Sequence, residues 1–178
     1  MSVHANPRKY SILLGTRRTN RPGAEVLGRA DLHEWAEITV KIRRRLPLPE
    51  PVAGKAVLSR QDAATKHGAT QADIDTVAQS LASYGLTVVS KDAATRSVKL
   101  AGPVERMEQI FKTHLFRVKH GDRLYRGRVG DLSIPAELEQ IVVGVFGLDT
   151  RPMIRSRHPR SHLMAAPSGQ IPEPGQRP

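Results

Sequence analysis

The sequence predicts an α+β fold with one antiparallel sheet and two helices on a single face. Three observations carry that prediction: a strand with strict alternation, two capped amphipathic helices, and a hairpin between them. Ala36, Ile38, Val40 and Ile42 alternate with Glu37, Thr39, Lys41 and Arg43, the period of a strand with one buried and one wet face. Pro47, Pro49 and Pro51 then stop any regular ladder. Ser59 with Asp62, followed by Gly68, brackets a short capped helix. Thr70 with Asp73, then Ile74, Val77, Ala78 and Leu81 before Gly85, marks a longer one whose apolar stripe suits packing on a sheet.

Leu86 to Ser90 and Arg96 to Ala101 form the expected hairpin. Pro103 opens another helix, with Val104, Met107, Ile110 and Phe111 on one face and Glu108 paired to Lys112 on the other. Leu115 to His120 reads as the next strand, turned at Gly121-Asp122 toward Leu124-Tyr125-Arg126. Pro135, then Leu138, Ile141, Val142 and Val145 before Gly147, has helical spacing and predicts a short helix after the core. The order strand, helix, strand, strand, helix, strand is the split βαβ, ferredoxin-like pattern, which leaves the second sheet face uncovered. Thr39, Lys41, Thr87 and Lys99 fall on that face, either solvated or set to meet an acidic surface.

The organisation is a core at 35–149 between two unpatterned ends. Residues 1–34 have no period and many turn formers and read as a flexible basic N-terminal arm. In 150–178, six of 29 residues are Pro and little is apolar, as in an extended linker. With 178 residues there is enough chain to bury a core. Only 4% are aromatic, so that core rests on aliphatic residues with single contributions from Trp35 and Phe111.

Composition excludes several function classes. There is no cysteine, hence no disulfide framework, cysteine nucleophile or thiolate metal site. No run approaches the roughly 18 apolar residues of a membrane span, and Tyr10-Ser-Ile-Leu-Leu-Gly is too short for a signal-peptide core, so no membrane partner and no address are visible. The net charge of +11 invites a nucleic-acid reading, yet it lies in the ends and the first strand region, while 59–149 carries only +1. Outward strand positions of Thr, Lys, Glu and Ser offer no aromatic platform for bases. A basic nucleic-acid-binding domain on this fold is the alternative reading.

No catalytic constellation emerges. Asp73 and Asp75 read as a solvated first helical turn. His158 and His162 have the spacing of a zinc pair, but Pro159 separates them and no third ligand is near. His114 and His120 read as exposed strand ends. Ser168-Gly169 lacks a nucleophile-elbow context, and Gly15 and Gly23 build no phosphate loop. The residues describe a binding module without chemistry of its own.

Six segments in order point to a family: Gly85-Leu-Thr-Val-Val, Val98-Lys-Leu-Ala-Gly-Pro-Val104, Met107 to Phe111 with Leu115, Tyr125-Arg126-Gly127, Ile134-Pro-Ala, and Val145-Phe-Gly-Leu-Asp-Thr-Arg-Pro152. From about Trp35 to Pro152 the chain resembles the activation domain of sedolisins, kumamolisin-like serine-carboxyl peptidases with a subtilisin-like fold. The resemblance implies a prodomain fold of the kind found in subtilisin-type precursors, whose free sheet face, here Thr39, Lys41, Thr87 and Lys99, docks on a cognate protease domain in cis or in trans. It implies a propeptide that assists folding and inhibits the zymogen until acid self-cleavage, and an extracellular setting. The linker, with Arg155, Arg157, His158, Pro159, Arg160, Ser161 and His162, would thread the substrate cleft. The family's Ser-Gly-Thr-Ser motif and catalytic Glu and Asp have no match after Pro152, so no catalytic residue is carried over and no enzymatic activity is expected of this segment. No cofactor is expected in it either, the calcium site of such family members belonging to the protease domain.

Overall fold

A computed structural model describes residues 9–50 and 58–152. The central sheet has the order β4(Thr87–Asp92), β5(Ser97–Pro103), β3(Trp35–Ile42), β9(Val142–Phe146), every pair antiparallel. Helices α2(Gln71–Ser83) and α3(Val104–Phe111) cover one face, giving the expected ferredoxin-like architecture. The inward positions of β3 meet their partners in register, Ile38 opposite Leu100 and Val40 between Val98 and Val145, and all are buried. Against them lie Ile74, Val77 and Leu81 of α2 with Met107, Ile110 and Phe111 of α3. Thr70 caps α2 by accepting the Asp73 N–H at 3.1 Å, and Ser59 caps α1(Arg60–His67) through the Asp62 N–H at 3.0 Å.

The fourth strand is not the expected one. β6(Leu115–His120) pairs with β2(Glu25–Arg29) and β7(Arg123–Arg128) in a separate three-stranded sheet. The place beside β3 is taken by β9, where a helix was expected. Between Lys41 and Ile42 the register jumps from Gly144 to Val142 and skips Val143. The irregularity turns both Val142 and Val145 inward, and this three-residue spacing imitates a helical stripe. Only Ala136–Leu138 is helical there, as a single 3-10 turn.

The N-terminal arm is also ordered from Tyr10 onward. β1(Tyr10–Arg18) pairs with β8(Gly130–Pro135), placing Leu13 beside Leu132 in the core, and β2 pairs with β6. Long-range pairing supplies what local periodicity lacked. Glu108 does not pair with Lys112: its carboxylate accepts the Leu115 N–H at 2.6 Å and binds Arg29 at 2.5 Å. Lys112 instead adopts a left-handed conformation that ends α3, with its ammonium 4.2 Å from the centre of the Tyr10 ring.

Candidate docking surface

Alternation along β3 sends Trp35, Glu37, Thr39 and Lys41 away from the helices, and register extends that face across the sheet. Thr39 lies between Lys99 and Phe146, Glu37 lies opposite Ala101, and Ala101 lies opposite Thr87. The four residues expected there, Thr39, Lys41, Thr87 and Lys99, thus share one open surface. Its lysines are engaged within the domain. Lys99 Nζ lies 3.5 Å from Glu37, and Lys41 Nζ donates to the Thr95 carbonyl at 2.9 Å.

Large apolar side chains join this polar row. Trp35, expected in the core, is 64% exposed, and Phe146 and Val143 are 56% and 54% exposed. Trp35 shares the odd parity of Glu37, Thr39 and Lys41, which places it outward by the same rule. The signal for Phe146 was masked by the helical reading of its segment. The Phe146 ring lies over Gly144, where an added Cβ would come within 3.1 Å of it.

At the Trp35 end the face runs into a cleft of roughly 650 Å³, lined by Trp35, Glu37, Leu124, Tyr125 and Arg126 among others. Arg126, part of that lining, is buried to 9% exposure. Its Nε and Nη2 donate to the Leu148 and Gly147 carbonyls, each at 3.0 Å, and Nη1 pairs with Glu34. Gly147 requires its own backbone shape: φ is +96°, and a Cβ would stand 2.5 Å from the Glu37 carbonyl oxygen.

Beyond the core, residues 149–152 remain tied down. The Thr150 N–H donates to the Arg126 carbonyl at 2.8 Å, and Arg151 Nε donates to both oxygens of Asp149 at 2.9 and 2.8 Å. Arg151 also reaches the Thr19 carbonyl at 2.9 Å, and Arg21 the Pro152 carbonyl at 2.7 Å. Arg128, pulled below the usual arginine value chiefly by burial, holds the Thr16 and Gly130 carbonyls. Residues 150–152, read as the start of a free linker, are therefore fastened. Sequence reasoning missed these arginines because many of their acceptors are backbone carbonyls distant in the chain, those of Thr16, Thr19, Gly147 and Leu148 among them.

Asp73 is not the solvated residue expected. It is buried and receives Arg43 Nε and Nη2 at 2.9 and 3.0 Å, which holds its carboxyl below the usual carboxylate range. Asp75 is half-buried and pairs with Lys91 at 2.7 Å. Among the described residues, no group of three or more His, Asp or Glu is placed to hold a metal, and no helix is long and apolar enough to cross a membrane. The linker residues Arg155, Arg157, His158, Pro159, Arg160, Ser161 and His162 lie outside the described residues.

The model of the pro-kumamolisin activation domain matches residues 49–151, more than half of the chain. Kumamolisin from Bacillus sp. (strain MN-32) is 32% identical over 157 residues, covering 83% of this chain and 28% of that protein. Tripeptidyl-peptidase sed5 from Aspergillus fumigatus is 26% identical over 162 residues, covering 77% of this chain and 28% of the relative. The chain thus spans little more than a quarter of each relative's length. With the ordered motifs, the ferredoxin-like sheet and the family match in agreement, this chain belongs to the pro-kumamolisin activation domain family.

Proposed function

We propose that the chain docks its open sheet face on the peptidase domain of a sedolisin-type precursor, in cis or in trans, assists its folding and holds it inactive until acid self-cleavage. The observation that carries this reading is the face itself. An antiparallel sheet covered on one side leaves Trp35, Val143 and Phe146 in solvent beside a polar row, and a protein partner would desolvate them. Aromatic anchors set among near-neutral polar contacts are the usual energetic centre of such interfaces. Residues 155–162 would lie extended in the substrate cleft, where proline restriction lowers the ordering cost. In this reading the setting is extracellular, and any calcium belongs to the peptidase.

Acid release follows from titration. As pH falls toward ~4 the partner's carboxylates lose their charge, and any interfacial histidine would have to carry a proton in a desolvated site, so binding weakens toward acid. Titrating the purified chain against mature sedolisin-type peptidases at near-neutral pH tests the proposal. Loss of peptidase activity, with no hydrolysis by the chain alone, is expected. Full activity at micromolar excess across a panel that includes kumamolisin would overturn it.

One observation favours the alternative, since Trp35 and Phe146 do place aromatic rings on the open face of a chain with net charge +11. However, Glu37 faces Lys99 there, so few free cations remain to meet phosphates. Nucleic-acid binding that persists near physiological salt would favour that reading, because counterion release makes charge-driven binding fall steeply with salt.

A further inference from the structure

The geometry points to a positioning role for the arginines around residues 147–152: they fix the place and direction of the chain at Pro152, from which residues 153–178 continue. Burial of the core ends at Leu148, which is 1% exposed. The ties continue for four more residues, through Asp149–Arg151, Thr150–Arg126, Arg151–Thr19 and Arg21–Pro152. Donors come from β7, from the β1–β2 connection and from the exit segment itself. Burying guanidinium groups such as Arg126 and Arg128 is an expensive way to hold a sheet together. A planar fork bonded to fixed carbonyls does, however, set direction, which apolar packing does not.

Reach is not what the anchor controls. Freeing the six residues 147–152 would change the closure probability of a following segment of 26 residues or more by no more than about 1.4-fold. What the anchor supplies is a pre-ordered origin, so that the tail approaches the partner already aimed once the sheet is seated. This role rests on the docking proposed above.

The test uses the full chain with Arg21→Ala, Arg151→Gln and their double variant, beside the triple tail variant Arg155→Gln, Arg157→Gln, Arg160→Gln. Amide exchange is read at Thr150 and Arg151, and dissociation from a sedolisin-type peptidase is timed. Anchor variants should exchange at least about tenfold faster at these amides, with exchange in β3 and β5 unchanged. They should leave the peptidase about tenfold faster, Arg21→Ala at an unchanged melting temperature, and their effect should not add to that of the tail variant. Faster exchange with unaltered dissociation, unaltered exchange, or full additivity with the tail variant would each overturn the positioning role. If the double variant melts early, Arg21→Ala alone decides, because it removes a single side-chain hydrogen bond. Failure of the wild-type chain to bind any peptidase would instead sink the docking reading and the positioning role with it.

Discussion

Gly147→Ala probes whether β9 is seated where the open face requires it. A non-glycine residue at φ +96° costs about 1–3 kcal/mol. The new Cβ would also stand 2.5 Å from the Glu37 oxygen and 3.1 Å from the Ile38 Cα, both backbone atoms of β3 that cannot rotate away. Parting the end of β9 from β3 adds about 1–3 kcal/mol of overpacking, so a loss of roughly 2–6 kcal/mol is expected. In a chain of this size that lowers the melting temperature by roughly 4–24 °C. Gly121→Ala is the control: its φ is +59° with nothing within 4 Å, so it incurs backbone strain alone, about 1–2 kcal/mol. Thermal unfolding of both variants by circular dichroism gives the comparison. Equal losses would refute the close approach to Glu37, and with it the place of β9 beside β3.

Three further outcomes are expected. Trp35→Ala should change stability by less than about 1 kcal/mol in denaturant unfolding, because the side chain is mostly in solvent, and a loss near that of a core aromatic would contradict its outward position. Asp73→Asn should lose about 1–3 kcal/mol at neutral pH, as Arg43 loses its charged acceptor. Because the folded pKa of Asp73 lies below its unfolded value of ~3.9, its contribution is complete above that value and drains as pH falls through the folded value, so the two proteins should converge in strong acid. Glu108→Gln should cost about 1–2 kcal/mol and speed amide exchange in β2, whose Arg29 it releases; unaltered β2 exchange would show that strand pairing alone holds it.

Local chemistry made α1, α2, α3, β3 and the β4–β5 hairpin legible, since caps, apolar stripes and strict alternation are short-range signals. Position along the chain misled where the fold inserts β6, β7 and β8 between α3 and the fourth strand. β6 follows α3 directly, as a fourth strand would, but only register with β3 could reject it. β2 was invisible for a different reason: all five of its residues are exposed, so it has no apolar face to alternate. β1 carries one buried residue, Leu13, and is held by a partner more than a hundred residues away. The open face was half legible. Its polar row follows from β3 alternation, whereas Phe146 depended on recognising β9. Arg126 and Arg151 carried no signal, because what gives them a role is a set of carbonyls that only the fold brings near.

The central claim is that the open sheet face is the docking surface, and the most direct test compares inhibition by Phe146→Asp with inhibition by Leu14→Asp. Both place a carboxylate at an exposed apolar position, but Phe146 lies on the open face and Leu14 on β1, a strand outside the four-stranded sheet. Inhibition of a sedolisin-type peptidase at near-neutral pH should weaken by roughly 100-fold or more for Phe146→Asp, the loss of an interfacial anchor, and should match wild type for Leu14→Asp. Wild-type inhibition by Phe146→Asp would contradict the account, as would equal weakening by both variants.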